Sequence, residues 1–345
     1  MGMYIERDTQ LIAFLDSNFD SQEYGLLYGK AGLALYYARK STIDKMYTHV
    51  YNMLIDDLFA NASRNTAIEF PRGILGIAFA VDLILEFYKK GNPDYVLDDI
   101  DALIYRSLDL NYKQTVETGM AAEGLFYMVL HLKYGIRGKY KKEIFAHKAA
   151  ELLEYTYSEI SDKGFKECAP VNIFTTEFFF LYSIATLAEL GYYQDRLTHI
   201  CNELIYILYS CMPVQRFNRL VRLFTVVRIQ SAVSGLGSLW NRYAALLRDQ
   251  IDEDSLVNID CKTNQLALSD GLTGVFLMME QVNKYGLVRP FCYSWAYYKE
   301  RVEKSELWNN LQTDSMPMYT LGLNGLWGIH WCIENKCQSK VITKA

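Results

Sequence analysis

Apolar residues recur along most of this chain at intervals of three and four, the spacing that lines one face of an α-helix. No stretch outside those patterns alternates apolar and polar residues long enough to make a strand, and only 6 prolines interrupt the chain. The pattern predicts an all-α protein. Two kinds of helix alternate within it. One is apolar around most of its circumference, as in GLFYMVLHL, and opens on Gly-x-x-Gly or a variant of it. The other occupies segments 41 to 60, 93 to 108, 139 to 160, 193 to 211 and 288 to 312, and carries charges along one face, as KYKKEIFAHKAAELLEYTYSEI does. The first kind reads as an inner layer and the second as an outer one.

Aligning the apolar helices on the second glycine of their opening motif sets anchors at Gly32, Gly76, Gly124, Phe178, Gly237, Gly274 and Gly328. Their spacing runs from 37 residues (Gly237 to Gly274) to 59 (Phe178 to Gly237), room for two helices and two connections. Three residues before each anchor stand Gly29, Gly73, Ala121, Thr175, Ser234, Gly271 and Gly325, all small. A small residue there allows a tight turn and a close approach of neighbouring backbones. The expectation is seven helical hairpins, fourteen helices in two concentric layers: an α/α toroid forming a single domain over 1–345.

Composition narrows the classes of function. With 51% hydrophobic residues in 345, the chain can bury a large core. A net charge of -5 and a pI near 5.7 leave no concentrated basic face for nucleic acid. The 7 cysteines, at 168, 201, 211, 261, 292, 332 and 337, include no CxxC pair, which points to reduced thiols and a cytoplasmic location. MGMYIERDTQLIAFLDSNFD carries charges where a secretory signal needs an apolar run, so none is expected, and no stretch is long and apolar enough to span a membrane. Oligomeric state is left open.

The seven motifs in this order, over residues 4 to 336, resemble the lanthionine synthetase C-like family. The resemblance implies an α/α toroid whose inner-helix N-termini line one mouth. It also implies a zinc site there, which in the cyclases stabilises a peptide cysteine thiolate for addition to a dehydrated serine or threonine. The family's ligands are a cysteine in a fifth-motif Cys-Tyr-Gly-x-x-Gly and a Cys-His pair in a sixth-motif Cys-His-Gly-x-x-Gly. Here they fall on Ala232 in AVSGLG and on Ser269 and Asp270 in SDGLTG, while a family histidine near the fourth motif falls on Phe174. Alanine offers no donor, serine is a poor ligand and one carboxylate binds weakly. The expectation is therefore no zinc, no other cofactor and a non-catalytic role binding a peptide or partner protein in lanthipeptide-type maturation. The alternatives are a cyclase using other residues and a toroid glycoside hydrolase.

Candidate residues follow from this register. Tyr28, Arg72, Met120, Phe174, Val233, Asp270 and Asn324 each precede the small position and would surround one mouth. Asp270 either joins a ligand-binding rim or caps its helix. Glu123 and Glu177 precede the third and fourth anchors; two carboxylates could serve a hydrolase as acid and base, although first-turn glutamates also simply favour the helix dipole. PVQRFNRLVRLFTVVRIQ places Arg216, Arg219 and Arg222 at i, i+3 and i+6 beside an apolar stripe, either a solvated outer face or a docking helix for an acidic partner. His330, Cys332 and Cys337 are metal-capable but poorly disposed on one helix, and His131 is a solitary histidine on an apolar helix. GLLYGKAG lacks the hydroxyl residue after Lys30 that a P-loop needs, and GLNGLWG follows no strand.

Overall fold

The computed structural model describes residues 2–21, 23–61, 67–88, 97–109, 117–135, 138–165, 171–261, 265–309 and 322–337. Those residues form an all-α protein with one isolated bridge, Glu23 to Gly29, and no strand. None of the described helices is long and apolar enough to cross a membrane. The main helices are α1 (Gly2–Ser17), α2 (Lys30–Ile43), α3 (Thr48–Asn61), α4 (Ile74–Tyr88), α5 (Asp98–Ser107), α6 (Thr118–Tyr134) and α7 (Lys139–Lys163). They continue with α8 (Thr176–Glu189), α9 (Gln194–Ser210), α10 (Arg216–Ala232), α11 (Ser238–Asp249), α12 (Leu272–Tyr285), α13 (Trp295–Glu303) and α14 (Leu326–Cys332).

The chain divides into two compact units, each drawn from separated stretches: Met1–Asn92, Thr263–Thr273 and Ser294–Ala345 in the first, Pro93–Lys262 and Gly274–Tyr293 in the second. In the first unit, α2 packs against α3, α4 and α14. The glycines of the opening motif have a specific job there. The first N–H of α2, at Lys30, donates to the carbonyl of Glu23 at 2.7 Å; Ile74 of α4 donates to Ala67 and Leu272 of α12 to Gln265, both at 2.9 Å. In each case the acceptor lies seven residues upstream, so one lead-in loop recurs three times and satisfies helix N–H groups that otherwise lack a partner. The loop must press against the helix start to do so. A Cβ on Gly29, Gly73 or Gly271 would lie 2.2, 2.2 or 2.6 Å from a loop carbonyl oxygen, and one on Gly32 or Gly76 would lie 1.9 or 2.0 Å from another.

These loops are also joined to one another. Leu268 N–H donates to Asn324 O at 2.9 Å, Asn324 N–H to Leu27 O at 2.8 Å, and Leu27 N–H to Pro71 O at 2.9 Å. The lead-in loops of the sixth, seventh, first and second motifs therefore follow one another in space within this unit.

In the second unit, α8 packs against both α6 and α10, and these three are buried along most of their length. α7, α9 and α11 cover them with one face and expose the other. Here the sequence register needs two corrections. α6 opens at Thr118, so Ala121 and Gly124 lie inside the helix and not at its start. More substantially, the fifth buried helix is α10, not the helix expected at AVSGLGSLWNR. That stretch is the connection from α10 to α11: Val233 ends α10, Gly235 takes a left-handed φ of +76°, and Gly237 precedes α11 with open space where a Cβ would stand. Counting three residues beyond the Gln215 cap moves the fifth anchor from Gly237 to Asn218.

The reason is electrostatic. Arg222 and Arg228 make α10 look solvated, yet they are 3% and 2% exposed. Arg228 pairs with Glu189 at the end of α8, and Arg222 pairs with Glu177 at its beginning, so α8 and α10 run parallel and neutralise each other. Pairing offsets part of the desolvation cost that isolated buried charges would carry in full. In the fourth motif, where glycine is absent, the Thr175 hydroxyl accepts from the N–H of Phe178 at 3.2 Å and caps α8 by side chain instead.

Candidate functional site

The polar groups of the first unit gather in two places. At the helix starts, Tyr28, Arg72, Ser269, Asp270 and Asn324 come together. The exposed Arg72 guanidinium lies 4.7 Å from the centre of the Tyr28 ring, and the Tyr28 hydroxyl is 3.4 Å from Ser269 Oγ. Ser269 is 3% exposed; its hydroxyl donates to Asp270 Oδ1 at 2.8 Å and its N–H to Asn324 Oδ1 at 2.7 Å. Asp270 does not cap α12. The N–H groups of Leu272 and Thr273 are taken by the carbonyls of Gln265 and Leu266, and the Asp270 carboxylate, facing solvent, holds Ser269.

At the other end of α2 lies a buried cluster the sequence did not announce. Asp8 of α1 accepts from Tyr36 at 3.1 Å, Tyr47 at 2.7 Å and Lys40 at 3.0 Å. Lys40 also bonds Glu334, and the Tyr36 hydroxyl lies 3.0 Å from His330 Nδ1. Asp8, His330 and Glu334 are a donor set of metal-binding type with their ligand atoms within 4.8 Å of one another. Lys40 already supplies the cation, however, bridging both carboxylates, so the cluster reads as a latch joining α1, α2 and the C-terminal helix. The donor set around His330 is Asp8 and Glu334 and does not include Cys332, in keeping with the poor disposition of the three on one helix; the side chain of Cys337, like all of Cys168, lies outside the described residues.

Burial lowers the His330 pKa from 6.5 to about 4, with Asp8 opposing the shift and Lys40 and Arg7 adding to it. Burial also raises Glu334, which Lys40 opposes. Between pH 6.5 and 4 the unfolded chain therefore takes up the histidine proton that the folded one refuses. Stability from this group is full above 6.5 and falls as the pH drops toward 4, by about 3 kcal/mol if the shift is complete. Glu334 acts in the opposite sense and reduces that loss. Urea midpoints at pH 7 and pH 5 are expected to differ in the native protein and to differ much less in His330→Gln; equal slopes in the two proteins would refute the assignment.

The second unit contains a cavity of about 620 Å³ at the N-terminal ends of α8 and α10, in the size range of small-ligand pockets. Among the described residues its walls are Phe165, Met212, Pro213, Val214 and Val221, with Asn172, Thr175, Ser210, Gln215 and Asn218 as neutral polar groups and Cys211, Glu177 and Arg222 completing the lining. Arg222 donates to Glu177 Oε1 at 2.6 Å and also bonds Oε2, so the pair is bidentate. Its remaining donor reaches the Cys211 carbonyl at 2.5 Å, the Leu208 carbonyl at 3.3 Å and the Tyr243 hydroxyl at 3.0 Å. Burial disfavours the arginine charge, but Glu177 holds it firmly protonated. Burial pushes the Cys211 thiol up against the pull of Arg222, which makes it a poor nucleophile.

This arrangement revises several expectations. Arg216, Arg219 and Arg222 are not one docking face: Arg216 bonds Asp260 at 2.9 Å, Arg219 bonds the carbonyls of Pro213 and Gln250 at 2.7 and 3.3 Å, and Arg222 is buried. Glu177 has both oxygens engaged by an arginine, which leaves it unsuited to a general acid; Glu123 is half-buried on α6 and does not line the cavity. Val233 is the residue after α10 and belongs to no helix start. Phe174 and Met120 are half-buried, Phe174 against Phe178 and Phe179. His131 is a core residue between Tyr127 and Phe145, at 4.3 and 5.1 Å between ring centres. Lys30 is 2% exposed and bonded to Asp57 at 2.7 Å, where it cannot reach a phosphate.

The chain matches no family model, no curated protein and no solved structure. Its function has to be read from the sites themselves.

Proposed function

We propose that the chain is a lanthionine synthetase C-like ring of seven helical hairpins. It binds a peptide or partner protein during maturation of a ribosomally made peptide in the cytoplasm, and it does so without the cyclase's zinc. Support for the ring comes from the hydrogen-bonded succession of lead-in loops, in which the seventh motif (Asn324) is joined to the first (Leu27) as closure requires. The succession α6, α8, α10 in the second unit supplies motifs three, four and five in order.

The observation that carries the non-catalytic reading is the chemistry at Ser269 and Asp270. Where the resembling cyclases would place a thiolate and an imidazole, this chain has the Ser269 hydroxyl and the Asp270 carboxylate, and the hydroxyl is committed to that carboxylate. With the fifth anchor at Asn218, the family's remaining cysteine falls on Pro213 and not on Ala232. Proline has no donor atom in its side chain either, so the residues do not fit zinc. A cavity whose described walls supply donors and apolar surface, with Glu177 bound to Arg222 and the Cys211 thiol pushed up by burial, suits binding.

Metal analysis of the purified protein is expected to return well below one zinc per chain; a full equivalent lost in Asp270→Ala would reverse the reading. Peptides encoded beside its gene are expected to be captured by the protein, and Arg72→Glu, at the exposed helix-start cluster, to weaken capture severalfold. Capture unaffected by that charge reversal would remove Arg72 from the binding face.

A further inference from the structure

The segment Cys211–Gln215 leads from α9 into α10 along the rim of the cavity. Two of its carbonyls are pinned from below: Arg222 holds Cys211 O at 2.5 Å and Arg219 holds Pro213 O at 2.7 Å. The peptide bonds are all trans among the described residues. In a trans peptide the N–H points opposite to the carbonyl of the same unit. The N–H groups of Met212 and Val214 must therefore point away from the arginines that hold Cys211 O and Pro213 O. Neither has a hydrogen-bond partner among the described residues. Between them stands Pro213, which has no N–H to lose. Val214 is 71% exposed, so the rim is open.

Two donors at i and i+2, held in place by charged side chains, match the carbonyls of an extended chain laid beside them. The cavity adds to that preference. The Asn172 side chain accepts from Phe174 N–H at 2.9 Å and the Thr175 hydroxyl from Phe178 N–H at 3.2 Å, and both residues line the cavity with no donated side-chain bond among the described residues. Among the described residues its charged walls are Glu177 and Arg222, which neutralise each other and leave no counter-charge there for a charged occupant, whereas Phe165, Met212 and Val221 offer an apolar surface. We propose that this rim and cavity bind an uncharged, extended peptide segment, its backbone carbonyls on Met212 and Val214 and an apolar side chain in the cavity. The assignment rests on the peptide-binding reading above and names the site and the chemistry for it.

The probe is a fluorescent pool of end-blocked, uncharged hexapeptides rich in leucine and valine, alongside a backbone N-methylated pool and a pool bearing lysine and glutamate. Binding is read by polarisation, and occupancy of the cavity by the rate of Cys211 alkylation, located by peptide mapping. The uncharged pool is expected to bind and to slow Cys211 alkylation, and the N-methylated pool to bind at least severalfold more weakly. Val214→Pro, which deletes one donor, is expected to weaken binding about threefold to tenfold, while Val214→Ala, which keeps it, has little effect. Thermal melts of both variants check that they fold, and Val221→Trp, filling the cavity, gives a second, independent block.

Binding with Cys211 unprotected and both Val214→Pro and Val221→Trp unaffected would overturn this site while leaving the broader peptide-binding reading intact. Preference for the charged pool would overturn the assigned chemistry. Failure of every pool, with gene-neighbour peptides still captured in the pull-down, would likewise refute this assignment alone; failure of both experiments would remove the peptide-binding reading as well.

Discussion

Gly76→Ala is expected to destabilise the protein by about 3 kcal/mol or more, at the upper end of what overpacking costs, and to leave much of it unfolded at moderate urea. The added methyl would lie 2.0 Å from the Phe70 carbonyl oxygen and 2.7 Å from Leu26 Cβ. Neither neighbour can yield cheaply. Phe70 belongs to the loop whose Ala67 carbonyl satisfies Ile74 N–H, and the Leu26 methylene lies beside Leu27, which donates to Pro71. Moving the loop to make room breaks the bonds that start α4 and those that join the first and second motifs. Gly237→Ala provides the contrast, because nothing lies within 4 Å and φ is an ordinary -70°. Its cost is expected to stay under about 1 kcal/mol, the difference between glycine and alanine at a helix cap. Denaturant curves on the two proteins decide the matter. Equal damage would restore Gly237 as a motif glycine, and a mild Gly76→Ala would show that the close approach of loop and helix is not what the motif provides.

Arg222→Met is the second large effect. It removes the partner of Glu177 and the donor to the Cys211 carbonyl at the cavity wall; the Tyr243 hydroxyl and the Leu208 carbonyl lose the arginine but keep their own bond at 2.8 Å. Removing one member of a buried pair costs about 3–5 kcal/mol. Glu177 keeps 20% of its side chain exposed and can recruit water, which sets the expectation at the lower end, about 3 kcal/mol. The double variant Arg222→Met, Glu177→Leu is expected to regain part of the loss, since it strands no charge. A single variant within about 1 kcal/mol of native stability, or a double variant less stable than the single, would show that the pair does not organise the cavity.

Helix content, the alternation of buried and covering helices, and most of the helix starts are legible from periodicity and from the glycines. Those signals are local. A carbonyl seven residues upstream of Lys30, Ile74 or Leu272 lies within the same short stretch as the glycines that admit it, so the pattern is written wherever the loop is. Tyr28, Arg72, Asp270 and Asn324 can likewise be grouped, because register alone places equivalent positions of neighbouring helix starts side by side.

The fifth motif is misplaced by the same signals, because its glycines mark a connection and its arginines mark a buried helix. Hydrophobic periodicity treats Arg222 and Arg228 as solvated, and only their ion pairs with Glu177 and Glu189, 45 and 39 residues away, reverse that. The Asp8 latch joins residues as distant in the chain as Asp8 and His330, and neither end carries a motif. Local spacing is enough to establish an all-α chain of alternating buried and covering helices. Which charges are buried, which helix is the fifth, and where a cavity opens beside two N–H groups without a partner among the described residues emerge only from the folded molecule. Those features depend on pairing between distant residues and on the direction of single peptide groups, neither of which leaves a trace in local spacing.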